Sequence, residues 1–150
     1  VAGCCAQMVG FAVCSYRENK LNGLASIGLG TSMLLVPNLL KKPILWIPPT
    51  LTAAITGPIA TCLFSLRMNG APISSGMGTS GIVGPIGVVT GWLNPSEAAV
   101  KMGEVALTPG AMDWIGMILI CFVLPAILSW VISEFMRKKG WIEFGDYKMV

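Results

Sequence analysis

The chain has 150 residues, of which 54% are hydrophobic and only 11% charged, with ten basic residues against seven acidic ones and no histidine. A soluble domain carries roughly 25% charged residues, so this composition excludes an ordinary water-soluble protein and describes one that lives in a bilayer. The net charge of +3 is gathered in a few short clusters between long uncharged stretches, which bears on orientation in a membrane and gives no basic face for nucleic acid.

The first element, Val1 to Ser15, is apolar apart from Gln7 and a few small residues, and it is too short to span a bilayer. With no basic leader and no cleavage pattern it does not read as a signal peptide. The expectation is a chain that opens inside a helix of a larger protein. Cys4, Cys5 and Cys14 lie here, and Cys62 and Cys121 lie in later apolar stretches, with no Cys-x-x-Cys spacing. They predict packing residues, with no metal site, cofactor or disulfide framework.

After the charged cluster Arg17 to Lys20 comes Gly23 to Leu40, which holds Gly28-Leu29-Gly30-Thr31-Ser32 and then Pro37. The same pattern recurs 48 residues later as Gly76-Met77-Gly78-Thr79-Ser80 and Pro85, and Asn22-Gly23 and Asn69-Gly70 introduce the two copies. Such self-similarity indicates an internal duplication. In an apolar chain, paired Gly/Pro-interrupted segments at corresponding positions mark the broken helices around which secondary transporters build their sites.

Lys41 and Lys42 precede the first full-length span, Ile44 to Leu66, which contains Pro48, Pro49 and Pro58. Thr50, Thr52 and Thr56 are near enough to partner the carbonyls that prolines free. Arg67 leads into the second copy, Asn69 to Leu93. Asn94 then reads as the cap, and Pro95 as the first turn, of a short interfacial helix ending near Met102. A loop with Glu97, Lys101, Glu104 and Asp113 precedes the second span, Met112 to Met136, which ends at Arg137-Lys138-Lys139. Glu134 is expected to pair with Arg137 or Lys138 at helical spacing.

Lys and Arg concentrate in cytoplasmic loops, so Arg17, Lys20, Lys41, Lys42, Arg137, Lys138, Lys139 and Lys148 are expected inside, with a cytoplasmic C-terminus. Gly23 to Leu40 then enters and leaves by one face, and Asn69 to Leu93 by the other. The predicted fold is an all-α polytopic membrane protein whose transmembrane helices carry two re-entrant Gly/Pro-broken hairpins in an inverted repeat. It forms a single transmembrane domain over 1–150, with repeat units of about 1–42 and 43–108, a final helix over 112–136 and a tail over 137–150. The alternative, a short tilted span over Gly23 to Leu40, would put one of the first two basic clusters outside.

No Ser-His-Asp set, Cys-His pair or buried carboxylate pair occurs, and there is no Gly-Lys-Ser/Thr phosphate loop. Gly76 to Gly81 formally matches G-x-G-x-x-G but has Pro72 before it in place of a strand and a Gly/Pro-broken segment after it, so it does not predict nucleotide binding. What remains at membrane depth is neutral and polar: Gln7, Thr31, Ser32, Asn38, Ser74, Ser75, Thr79 and Ser80, with the backbones of Gly76 and Gly78. These are the candidate substrate-binding residues, and such a set suits an uncharged, hydroxyl-rich solute. The second tip, with Ser75, Gly81 and Gly84 around its motif, is expected to make more of the contact than the first, where Met33 to Val36 reads as packing. Trp46 and Trp92 are expected as interfacial anchors.

Several runs resemble a known family: GCCAQMVGFAVCSYREN (Gly3 to Asn19), GLGTSMLLVPN (Gly28 to Asn38), WIPPTLTAAITGPIAT (Trp46 to Thr61), GMGTSGIVGPIG (Gly76 to Gly87) and LPAILSWVISEFMRKKGWI (Leu124 to Ile142). They are similar to bacterial phosphotransferase-system EIIC-type sugar permeases, in particular to the C-terminal half of such proteins. The resemblance implies a multi-pass inner-membrane permease that moves a sugar while soluble partners phosphorylate it. Its implied partners are a small neutral solute, membrane lipids, the N-terminal half of the permease, soluble phosphotransferase subunits and further copies of itself. The chain lacks a Gly-Ile-Thr-Glu type of sugar motif, so no family site residue is carried over. The rival readings are a membrane receptor or regulatory protein that does not transport, and a lipid or fatty-acid binder.

Overall fold

The computed structural model describes residues 1–63, 70, 72–101 and 110–149, and among them every regular element is helical. The helices are α1 (Ala2–Cys14), α2 (Tyr16–Ala25), α3 (Val36–Lys41), α4 (Ile47–Pro58), α5 (Pro72–Met77), α6 (Val83–Leu93), α7 (Glu97–Lys101), α8 (Ala111–Ile118) and α9 (Leu124–Lys138). Expectations for Phe64 to Asn69, Met102 and Glu104 fall outside the described residues.

Two continuous helical runs are long and apolar enough to cross a membrane, Pro43–Leu63 with 21 residues and Ala111–Lys138 with 28. At a rise of 1.5 Å per residue they reach about 31 and about 42 Å, against roughly 30 Å of hydrocarbon. Proline shapes both. Pro48 and Pro49 fall in the first turn of α4, where a missing N–H costs no helical bond. Thr52 Oγ1 donates to the Pro48 carbonyl at 2.9 Å and Thr56 Oγ1 to the Thr52 carbonyl at 3.0 Å, so two of the three expected threonines do partner carbonyls of this helix. Thr50 turns instead towards α1. Pro125, which cannot donate, follows a π-helical turn over Leu119–Val123, and Pro58 precedes another over Ile59–Leu63.

Helices α1, α4 and α9 pack together through small residues. A Cβ on Gly10 would lie 2.7 Å from Ser129 Oγ and 3.0 Å from Pro49 Cβ, so glycine there lets three backbones converge. Ser129 Oγ donates to Thr52 Oγ1 at 2.9 Å, and both are fully buried. Apolar packing continues from this contact in both directions. Phe11, Cys14, Ile27, Leu35, Leu39, Leu45, Met136, Ile142 and Tyr147 form one cluster, and Cys5, Val88, Trp92, Met117 and Cys121 the other.

At the first end the tail after α9 folds back. Asn19 Nδ2 donates to the Tyr147 carbonyl and Asn38 Nδ2 to the Lys148 carbonyl, each at 2.7 Å. A residue just before the first duplicated segment and one near its end therefore sit on consecutive tail residues. Tyr147 is fully buried and its hydroxyl donates to the Leu45 carbonyl at 3.0 Å; burial raises that phenol above its ordinary range. Lys42 bonds Asp146 at 3.0 Å, which raises the lysine. Glu134 pairs with Arg17 across helices at 3.1 Å, a correction to the local pairing expected, because Arg137 turns inward to Glu18 at 3.0 Å.

At the other end Ser96 Oγ donates to the Gly70 carbonyl at 3.1 Å, joining the start of the second segment to a residue just past its end. Trp92 meets Trp114 edge-on at 5.8 Å and is only 3% exposed, so it is a packing residue and not a surface anchor. Trp46, by contrast, is half exposed at the start of its span. Asn94 closes α6 instead of opening the next helix, which begins at Glu97. Its carbonyl-side backbone is extended, and its N–H is already bonded to Thr90.

Candidate functional site

The two duplicated motifs meet. In the first copy α2 runs into a π-helical turn over Ser26–Gly30, laid so closely on α1 that a Cβ on Gly28 would come within 3.3 Å of Ala12 Cβ. Thr31 then leaves the helix in an extended conformation, with φ −149° and ψ 136°. Its own Oγ1 accepts from the Met33 amide at 3.2 Å and caps the next short turn. A helix that ends this way leaves carbonyls without helical donors.

The second copy supplies two donors. Thr79 Oγ1 donates to the Gly28 carbonyl at 2.6 Å, and Ser80 Oγ to the Gly30 carbonyl at 2.7 Å. Its backbone reverses tightly to bring them there. Gly78 has φ +56°, the Gly84 amide donates to the Gly78 carbonyl at 2.9 Å, and the Ile82 amide to the Thr79 carbonyl at 2.9 Å. Gly81 and Ile82 also lie in the left-handed region, at φ +56° and +60°. For a β-branched residue that conformation stores roughly 1–3 kcal/mol.

The candidate residues divide by what surrounds them. Thr79 is fully buried with its proton committed to Gly28. Gly78 lies against α1, where an added Cβ would fall 2.9 Å from the Cys4 carbonyl carbon and oxygen. The tip expected to offer open backbone is therefore packed against protein. Gly30 and Gly76 have the opposite character, since an added Cβ at either would meet nothing within 4 Å. Thr31 and Gly76 are exposed, and Ser32, Ser74, Ser75 and Ser80 half-buried.

Two candidates stand apart. Asn38 is spent on the tail. Gln7 reaches across to α4, its Nε2 donating to Thr50 Oγ1 at 3.2 Å, while its Oε1 is buried with no partner among the described residues. Sequence reading did not anticipate the carbonyls of Gly28 and Gly30 as acceptors, or the Cys4 backbone as a floor for Gly78, because no residue type signals a backbone contact.

The tips carry no charged side chain, so their chemistry is that of neutral donors and acceptors around exposed glycine backbone. A separate open groove of about 250 Å³ lies between α6 and α8, lined by Ile82, Pro85, Ile86, Val89, Thr90 and Met117. With one hydroxyl among six lining residues, it offers little to a hydroxyl-rich solute. Among the described residues no cluster of three His, Cys, Asp or Glu could hold a metal.

Compared with known proteins, residues 1–149 match the sequence model of a family described as phosphotransferase system, EIIC. No curated protein and no solved structure matches the chain.

Proposed function

The chain belongs to the phosphotransferase-system EIIC family, the membrane permease component of such systems, and from that premise we propose that it moves a small neutral solute, a sugar, across the bacterial inner membrane by alternating access at the junction of its two Gly-x-Gly-Thr-Ser tips. The observation that carries this reading is the pair of hydrogen bonds from Thr79 and Ser80 to Gly28 and Gly30. It joins the duplicated motifs at a point rich in neutral hydroxyls, next to the exposed backbone of Gly30.

Support for two opposed re-entrant hairpins comes from their bases. Asn19 and Asn38 share the tail at one end, while Gly70 and Ser96 bond each other at the end where Trp92 meets Trp114. Residues Ala111 to Lys138 separate those ends by about 40 Å of helix. These contacts favour a path in which each segment starts and finishes at one end, with its tip between. On this reading a cysteine at Asn22 and another at Lys41 are both labelled from the cytoplasm by an impermeant maleimide, and the C-terminus is cytoplasmic. Labelling from opposite faces would support a spanning segment instead.

Non-helical backbone at membrane depth is stable only inside protein or beside a watery cavity. The exposed backbone at Gly30, Thr31 and Gly76 is accordingly enclosed by further protein, the other half of the permease, and soluble phosphotransferase subunits phosphorylate the solute. The direct test is uptake of labelled hexoses, pentoses and hexitols by vesicles containing the whole protein, loaded with phosphoenolpyruvate and the soluble phosphotransferase fraction. Uptake of one of them that depends on phosphoenolpyruvate is expected. Binding without uptake would favour a receptor, and retention of fatty acid alone a lipid binder.

The junction also has to open for solute to pass. Cysteines replacing Gly30 and Ser80, bridged by oxidation or a short bismaleimide, should arrest uptake, and reduction of the disulfide should restore it. Full uptake by the bridged protein would make the contact a permanent brace.

A further inference from the structure

At the end where the tail folds back, the acidic partners run out. Eight basic residues gather there: Arg17, Lys20, Lys41, Lys42, Arg137, Lys138, Lys139 and Lys148. Among the described residues, the four side-chain carboxylates of this region are all taken by three of them. Glu134 pairs with Arg17, Glu18 with Arg137, and Glu143 and Asp146 both with Lys42.

Five lysines remain. Lys20, Lys41, Lys138, Lys139 and Lys148 are exposed, and none is ion-paired with a carboxylate among the described residues. Each stands within two residues of a contact that holds the tail or ends a long helix: Lys20 beside Asn19, Lys41 beside Lys42, Lys148 beside Tyr147, and Lys138 and Lys139 at the end of α9.

Their depth follows from the same geometry. The two membrane-length helices begin at Pro43 and finish at Lys138 on this end, and Trp46, Trp141 and Phe144 beside them are 48%, 50% and 79% exposed. Lys139 Nζ lies 4.8 Å from the Phe135 ring centre and 5.2 Å from that of Trp141. Exposed aromatic rings with lysines at helix ends mark the headgroup layer. An ammonium group there with no carboxylate partner is placed to bind a phosphate.

We propose that this end of the protein is a binding surface for anionic phospholipid headgroups, with Lys20, Lys41, Lys138, Lys139 and Lys148 as its phosphate-binding residues. The attraction is electrostatic, so it falls as salt screens it. The proposal does not depend on which solute is carried, or on transport at all.

The test uses the whole protein in nanodiscs of phosphatidylcholine alone or mixed with phosphatidylglycerol. The unfolding midpoint should rise by several degrees with phosphatidylglycerol and the gain should shrink in high salt, and native mass spectrometry should find that lipid retained over phosphatidylcholine. Changing all five lysines to glutamine should abolish both effects while lowering the midpoint in phosphatidylcholine only slightly, since no ion pair is broken and only the exposed Lys139 ring contacts are lost. Lys101→Gln, outside this end, should alter neither. Equal midpoints and equal retention of the two lipids by the wild type would overturn the proposal and leave the lysines to an acidic soluble protein. A five-glutamine variant that still prefers phosphatidylglycerol would overturn it as well.

Discussion

Replacing Gly78 with leucine should cost about 2–5 kcal/mol of stability and leave little folded protein at ordinary temperature. Two effects combine. The left-handed backbone at φ +56° penalises any Cβ by roughly 1–2 kcal/mol, and displacing the Cys4 backbone from 2.9 Å adds roughly 1–3 kcal/mol of overpacking. The disturbed reversal would also lose its Gly84 to Gly78 bond and with it the aim of Thr79 and Ser80. Gly30→Ala and Gly76→Ala, where a Cβ meets nothing within 4 Å, should leave the thermal midpoint of purified protein within a degree or two of wild type. Gly78 is thus the packed glycine of the pair and Gly30 the open one. A Gly78→Leu protein that melts like wild type would remove the Cys4 contact from the account of the fold.

Arg137→Ala should be nearly as damaging, at about 3–5 kcal/mol, because it strands a buried charge. Glu18 has a side chain only 1% exposed, its Oε1 is bonded to Arg137 at 3.0 Å, and its Oε2 has no partner among the described residues. The guanidinium also donates to the Cys14 carbonyl at 3.3 Å and lies 5.9 Å from the Tyr147 ring. Its loss frees the end of α1 and the tail together. Since removing both charges avoids the stranded carboxylate, the double change Glu18→Gln with Arg137→Met should be more stable than Arg137→Ala alone. Thermal unfolding of the three proteins decides it: a neutral Arg137→Ala, or a double variant worse than the single, would show that the pair is solvated and contributes little.

Local properties were readable without coordinates. Hydropathy and proline spacing predicted helices throughout and two spans, Ile44 to Leu66 and Met112 to Met136, and the helices run Pro43–Leu63 and Ala111–Lys138 among the described residues. Thr52 and Thr56 do bond carbonyls of the proline-bearing helix because that partner is one turn away, a distance set by the helix itself. The duplication was likewise plain, being a matter of residue identity.

What tertiary structure decided is where the side chains and backbones of distant segments spend their bonds. Thr79 and Ser80 read as solute ligands from their neighbours in sequence, and only the fold shows that their hydroxyls close carbonyls 51 and 50 residues away. Asn38 looked like part of the same set and holds the tail across 110 residues, while Glu134 passed over the nearby Arg137 for Arg17. A hydroxyl, an amide or a carboxylate carries the same donors and acceptors wherever it sits. Which partner it meets depends on how α1, α4 and α9 converge at Gly10, and that convergence is a property of three separated helices at once. Periodicity and composition determined what each segment of this protein could be; close packing between segments determined which glycine is a floor, which is an opening, and which hydroxyls are already taken.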